Sequence, residues 1–224
     1  YVAAANYDAL GTVAPLPVGG FSGEEIAAHS GDWAAYAAGK YGALPAGSRV
    51  YLELESLIVT DVSAAAITSL INATKAVLPN CLIGTYFLPA TDFGAVSGGR
   101  QASIEALNDS LATAIAAADW LGPDFYQVAW TPPPGNEEWE WNVNECLRVQ
   151  AGKPMAPFLT TSHATGGGLV TSSQFRSIVR ALHARDIREL TLWNNVTTAD
   201  DGEDFVEQIP VLGAAIFSYW GESR

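Results

Sequence analysis

The sequence predicts an α/β fold, a TIM-like (β/α) barrel that is irregular, with six to eight strand–helix units in one domain over residues 1–224. Three observations predict it. Short apolar runs alternate with longer Ala-rich helical stretches about 30 residues apart, which calls for right-handed crossovers and a parallel sheet. No Gly fingerprint follows the first run, as an open dinucleotide-binding sheet would require; Gly11 and Gly19-Gly20 instead flank Pro15 and Pro17. Polar and aromatic residues recur where runs end, at Glu55, Tyr86, Trp130, His163 and Trp193. Function spread over many strand ends suits a barrel, whose sites lie at the C-terminal rim.

The elements follow in order. Residues 2–7 (VAAANY) form a weak first strand candidate, and 49–56 (RVYLELES) is β-branched, aromatic and alternating. Further strand candidates are 81–88 (CLIGTYFL), 124–130 (DFYQVAW), 153–160 (KPMAPFLT) and 189–194 (ELTLWN). Ser22-x-x-Glu25 is a capping box before a helix over 26–38. Asp61 caps a helix to 77, closed by Pro79-Asn80. Residues 101–118 place Ile104, Leu107, Leu111 and Ile115 on one helical face. Shorter helices are expected over 142–150, from 171 or 172 to about 185, and over 203–218. The segment 131–135 (TPPPG) reads as a rigid loop.

Composition excludes several functions. The chain is 49% hydrophobic and 16% charged, which suits a full core rather than disorder. A net charge of −13 repels nucleic acid and anionic membranes. There is no phosphate-cradling Gly-Lys-Ser/Thr loop and no apolar stretch of about 20 residues to span a bilayer. Cys81 and Cys146 fit neither a zinc pattern nor a CxxC motif; one disulfide and two buried thiols are both open. The three histidines, His29, His163 and His183, are isolated, so no metal is supported and no cofactor is implied. The first residue is Tyr1, which fits a processed or trimmed chain; a secreted or periplasmic monomer is the expectation.

The chemistry-bearing residues centre on one strand. Side chains alternate faces along a strand, so Tyr51, Glu53 and Glu55 share one face and Val50, Leu52 and Leu54 the other. With the apolar set toward the helices, the glutamates point inward, and residues two apart place their Cβ atoms about 7 Å apart. Mutual repulsion and burial then raise the pKa of at least one carboxyl, as a general acid near neutral pH requires. A common retaining glycosidase needs a second carboxylate on another strand end. The other strand ends carry Trp130, residues 160–163 and Trp193-Asn194-Asn195; Asp92, beyond Tyr86-Phe87-Leu88-Pro89, is the spare candidate. That absence points to chemistry run by the Glu53/Glu55 pair alone; in one such scheme the substrate's own acetamido group attacks while one carboxyl protonates the leaving oxygen. Trp130, Trp139, Trp141 and Trp193 are candidate sugar platforms, since indole rings stack on sugar faces. Trp139 and Trp141 are expected to stay shallow in an acidic, Pro-flanked loop. His163 sits in a Thr-Ser-His-Ala-Thr loop after a strand.

The order of motifs resembles the hyaluronidase-type glycoside hydrolases. The resemblance runs through Tyr7-Asp8-Ala9-Leu10-Gly11, Val50-Tyr51-Leu52-Glu53-Leu54-Glu55-Ser56, Gly84-Thr85-Tyr86-Phe87-Leu88-Pro89, Pro123-Asp124-Phe125-Tyr126, Lys153-Pro154-Met155-Ala156-Pro157-Phe158 and Leu190-Thr191-Leu192-Trp193. It implies a distorted (β/α) barrel with fewer than eight regular units and an acidic pair on one strand that works with the acetamido group. It also implies Glu55 as acid/base, Glu53 where the family has an Asp that orients the acetamido group, Tyr126 as support for the intermediate and Trp193 lining the sugar site. Glu53 is longer than Asp, and Phe158 stands where the family often has tyrosine. The expected function is a glycosidase cleaving a poly- or oligosaccharide. The alternatives are a non-catalytic carbohydrate-binding barrel and another barrel enzyme, such as a lyase or aldolase type. The last is weakened because Lys40, Lys75 and Lys153 fall at no strand end.

Overall fold

The computed structural model describes residues 2–6, 18–59, 62–125, 135–160 and 172–193. Its strands are β1 (Val2–Asn6), β2 (Val18–Phe21), β3 (Arg49–Glu53), β4 (Leu82–Tyr86), β5 (Trp120–Gly122), β6 (Phe158–Thr160) and β7 (Glu189–Trp193). Four of them form a parallel sheet in the order β2-β3-β4-β5. The other three order as β1-β7-β6, with β6 and β7 parallel. Single parallel bridges, Leu121 to Met155 and Asp124 to Phe158, join the two sheets at β5 and β6.

The α/β class and parallel crossovers stand, with one correction. β1 runs antiparallel to β7, Val2 opposite Trp193 and Asn6 opposite Glu189. Cα atoms of β1 and β2 come within 8 Å, but no closed barrel forms among the described strands. The edge of β2 shows a reason. The Gly20 N–H donates to the Tyr41 hydroxyl (2.9 Å), which donates to the Gly20 carbonyl (2.7 Å). Side chains thus satisfy backbone groups that a closing strand would use.

The helices are α1 (Gly23–Ala28), α2 (Trp33–Tyr41), α3 (Glu55–Val59), α4 (Ala64–Val77), α5 (Gln101–Ser110), α6 (Ala112–Ala117), α7 (Glu137–Val149) and α8 (Ser172–His183). Several expected helices are broken. Residues 26–38 split at a turn around Gly31 and Asp32, both poor helix formers. The Ser63 side chain, not Asp61, caps α4 by accepting from Ala66 N–H. The stretch 101–118 divides at Leu111 into α5 and α6. The last expected helix, 203–218, lies outside the described residues.

The strand boundaries also shift. β3 stops at Glu53, so Glu55 opens α3 and is not a strand residue. Trp120–Gly122 is a strand upstream of the expected run 124–130, of which Asp124 bridges to Phe158 and residues 126–130 lie outside the described residues; Phe158–Thr160 forms only the end of the run 153–160. β2 was not expected, since its VGGF sequence has neither length nor alternation.

The core explains the alternation in β3. Val50, Leu52 and Leu54 are fully buried with Ile67 and Ile71 of α4 and Ile83 of β4. Each such side chain contributes about 1.5–3 kcal/mol relative to exposure. A second cluster joins Trp139, Val143 and Cys146 of α7 to Ile178, Val179 and Leu182 of α8. Cys81 and Cys146 are both free and buried, which resolves the open choice in favour of two thiols.

Candidate functional site

The face of β3 and β4 away from the helices is aromatic below and acidic above. Phe158 of β6 packs edge-on against Tyr51 (5.3 Å between centroids) and Tyr86 (5.0 Å) and stacks near Trp120 (6.3 Å). Glycines make the room. A Cβ on Gly84 would lie 2.0 Å from the Trp120 ring, and one on Gly20 would lie 2.1 Å from Tyr51. Arg49, at the start of β3, ion-pairs with Glu189 of β7 and lies 5.5 Å from the Trp120 ring centre. These contacts set β6 and β7 against β3 and β4 across a shared interior.

Glu53 stands one step beyond this layer, at the C-terminal end of β3, half-buried. Its Oε2 accepts the Gly23 N–H at 3.3 Å. Burial pushes the carboxyl above its usual range, and the charges of Glu55, Glu24 and Glu25 push the same way; the Gly23 bond opposes them. Tyr51 beneath it is pushed up to about 12 by burial and by Glu53. Glu55 follows two residues later, partly exposed in the first turn of α3. The start of α1 packs on the start of α3, since a Cβ on Gly23 would lie 2.4 Å from Ser56 Oγ. This leaves little space for any other residue at position 23.

Glu25 has a different fate. It completes the capping box with Ser22, its Oε2 accepting the Ser22 N–H at 2.9 Å. Tyr36 and Lys40 both donate to its Oε1. Burial works against ionisation, but the Lys40 and Tyr36 bonds prevail and its pKa falls to about 2.

Asp92 is likewise occupied. Its carboxylate takes a two-point contact from Arg100, at 2.7 Å and 2.9 Å, and also accepts the Gly94 N–H at 2.9 Å. The Arg100 bonds hold its pKa below the usual range despite partial burial. The surrounding loop is tied down by side chains that mimic a paired strand. Asn108 bonds both backbone groups of Ala90, and Asn142 both of Asp92. Glu138 accepts from the N–H groups of Val96 and Ser97. No motif announced these residues; buried Asn108, Asn142 and Glu145 are legible only as polar positions on otherwise apolar helical faces.

The expected sugar platforms divide. Trp139 is fully buried inside α7, 6.1 Å from Phe125, which corrects the expectation of a shallow loop residue. Asn136 caps α7 by accepting the Trp139 N–H, and Glu137, Glu138 and Glu140 fill its first turn, where acids are favourable. The supposed acidic loop is therefore helix, and Trp141 within it is partly buried. Tyr86 is 7% exposed and belongs to the aromatic layer. Trp193 closes β7 by its backbone. Tyr126, Trp130, His163 and Asn194 lie outside the described residues. Among the described residues, no group of three His, Cys, Asp or Glu side chains could hold a metal. No described helix is long and apolar enough to cross a membrane.

No protein-family model matches the chain, and no curated protein matches it. Among solved structures it is similar to bee venom hyaluronidase in complex with a hyaluronic acid tetramer. The TM-score is 0.58 at 14% identity, covering 90% of this chain and 68% of that one. Likeness at that identity concerns the fold and leaves the chemistry to be argued from the residues.

Proposed function

We propose that the chain is a glycoside hydrolase in which Glu55 is the acid/base and Glu53 its partner. The observation that carries this reading is Glu53 itself, a half-buried carboxyl at a strand's C-terminal end, with other carboxylates around it and a raised pKa. Likeness to a hyaluronidase fold supports the substrate class, a poly- or oligosaccharide. In this reading Glu55, nearer solvent, donates its proton to the glycosidic oxygen as the C–O bond breaks. The substrate's acetamido oxygen closes on the anomeric carbon, and Glu53 accepts a hydrogen bond from the acetamido N–H, orienting it. Water then opens the intermediate, giving its proton to Glu55. Glu53 would be the deeper member, fixed by the Gly23 N–H.

The same reading takes the seven strands as one irregular (β/α) barrel. The order β2-β3-β4-β5-β6-β7-β1 and the shared aromatic interior support it. The likeness to a venom enzyme supports a secreted or periplasmic setting. Tyr126, Trp130, Trp193, His163 and Asn194 are the proposed sugar contacts. Trp139 drops out of that set because its ring is enclosed by core side chains. A panel of N-acetylhexosamine oligosaccharides tests the assignment. Glu55→Gln should lose hydrolysis while its circular dichroism matches the parent; full retained activity overturns the role of Glu55.

A further inference from the structure

We infer that the ligand accepted at this rim is an uncharged or cationic glycan and not a polyanionic one. The inference rests on the glycosidase reading above and adds the charge class of the substrate.

Four carboxylates gather at the C-terminal ends of β2 and β3. Glu24 and Glu25 lie in the first turn of α1, Glu53 ends β3 and Glu55 opens α3. The Gly23 N–H bond to Glu53 and the close approach of Gly23 to Ser56 hold these segments together. Glu53 senses the charges of all three others. The cation that reaches this group is Lys40, and it is already bound to Glu25 and to the Gly20 carbonyl. It neutralises one carboxylate and leaves three.

The remaining described cations lie elsewhere. Arg100 is held by both oxygens of Asp92. Arg49 opens β3, and Lys153 precedes β6. Arg185 and Arg188 precede β7, while Lys75, Arg148 and Arg180 occupy the last turns of α4, α7 and α8. Strand beginnings lie away from strand ends in a parallel array, so Arg49 and Lys153 sit away from Glu53, while Lys75 is paired with Asp119, Arg148 with Asp109 and Glu145, Arg185 with Glu140 and Arg188 with Asp186. By sequence, the segments outside the described backbone are themselves acidic. Their sequences hold eight Asp and Glu residues against a single cation, Arg224. The side chain of Arg176 in α8 is the one other cation outside this description.

The consequence is a one-sign field over the rim, in a chain whose net charge is −13. Such a field raises the local concentration of cations and excludes anions, over a range of about 10 Å at 0.1 M salt. A glycan with a carboxylate on every second sugar would meet repulsion at each subsite near Glu53 and Glu55. A neutral N-acetylhexosamine chain meets none, and free amino groups on the chain are attracted.

The test uses Glu55→Gln protein, so that binding is read without turnover. Calorimetric titration compares three hexasaccharides: N-acetylglucosamine (neutral), glucosamine (cationic) and hyaluronan (anionic). The expected result at low salt is at least a tenfold preference for the neutral and cationic chains over hyaluronan. The preference should shrink as salt rises, and Glu24→Lys in the same background should narrow it. Hyaluronan binding as tight as the neutral chain, or a preference indifferent to salt, overturns the inference. Parent protein is assayed for hydrolysis alongside. Selective binding with no hydrolysis of any chain sinks the glycosidase reading while the charge class stands. Binding of none of the three overturns both.

Discussion

Glu53 ends one strand and Asp92 lies beyond the neighbouring strand of the same sheet, yet their carboxyls are pushed in opposite directions. Asp92 lies beyond β4 with Arg100 on both of its oxygens, and its pKa is lowered. Glu53 ends β3 among Glu24, Glu25 and Glu55, accepts the Gly23 N–H, and its pKa is raised. The first carboxylate is spent on holding a loop. The second is held in a costly state, and such groups cluster where chemistry is done. The lesson is that position at a strand end does not make a residue functional; the charge environment separates the two.

The largest expected effect that sharpens this contrast is on turnover. Glu55→Gln should lower kcat about 10²–10⁴-fold, or roughly 3–5 kcal/mol of barrier, whereas Asp92→Asn should leave kcat within a few-fold. Equal losses in the two variants would erase the distinction. Next is the backbone clamp on Glu53. Gly23→Ala must move Ser56 or α1, and overpacking of this kind costs about 1–3 kcal/mol. Chemical denaturation should register that loss, with an accompanying fall in kcat/KM as Glu53 shifts.

The smaller effects concern pH. Asp92 has a lowered folded pKa, so its contribution to stability is present above the unfolded carboxyl value and is lost as pH falls through the folded one. Asp92→Asn should therefore lower Tm at pH 7, and the two melting curves should converge in acid. Glu53 has the reverse sign. The folded state binds its proton at higher pH than the unfolded chain, so stability falls as pH rises through that window. Glu53→Gln should raise Tm modestly at pH 7, and the gain should vanish below about pH 4, near the unfolded carboxyl pKa. A lower Tm for Glu53→Gln at neutral pH would mean that Glu53 is a paired structural carboxylate like Asp92.

Much of β3 was legible. The alternation of Val50, Leu52 and Leu54 with Tyr51 and Glu53 reads directly as one helix-facing side and one interior side, and the burial follows it. The Ser22–Glu25 capping box was legible as well, because a cap is made within four residues. In sequence Glu55 reads as a strand residue because Leu54-Glu55-Ser56 continues the strand pattern, whereas the ladder with β4 ends at Glu53 and Tyr86. In sequence Trp139 reads as a loop residue because prolines precede it, whereas it lies in α7. Its burial comes from packing against Phe125 and from Arg185, whose guanidinium lies 5.4 Å from the ring centre.

The sequence by itself determined the α/β class, the helix-facing side of β3, the excess of negative charge and the presence of two glutamates near one strand end. These depend on period, composition and short spacing. Only the tertiary structure decided that β1 runs antiparallel, that Asp92 is claimed by Arg100 and that Glu24 and Glu25 of α1 come beside Glu53. Electrostatic coupling depends on separation in space, and thirty residues of chain between Gly23 and Glu53 say nothing of a 3.3 Å hydrogen bond.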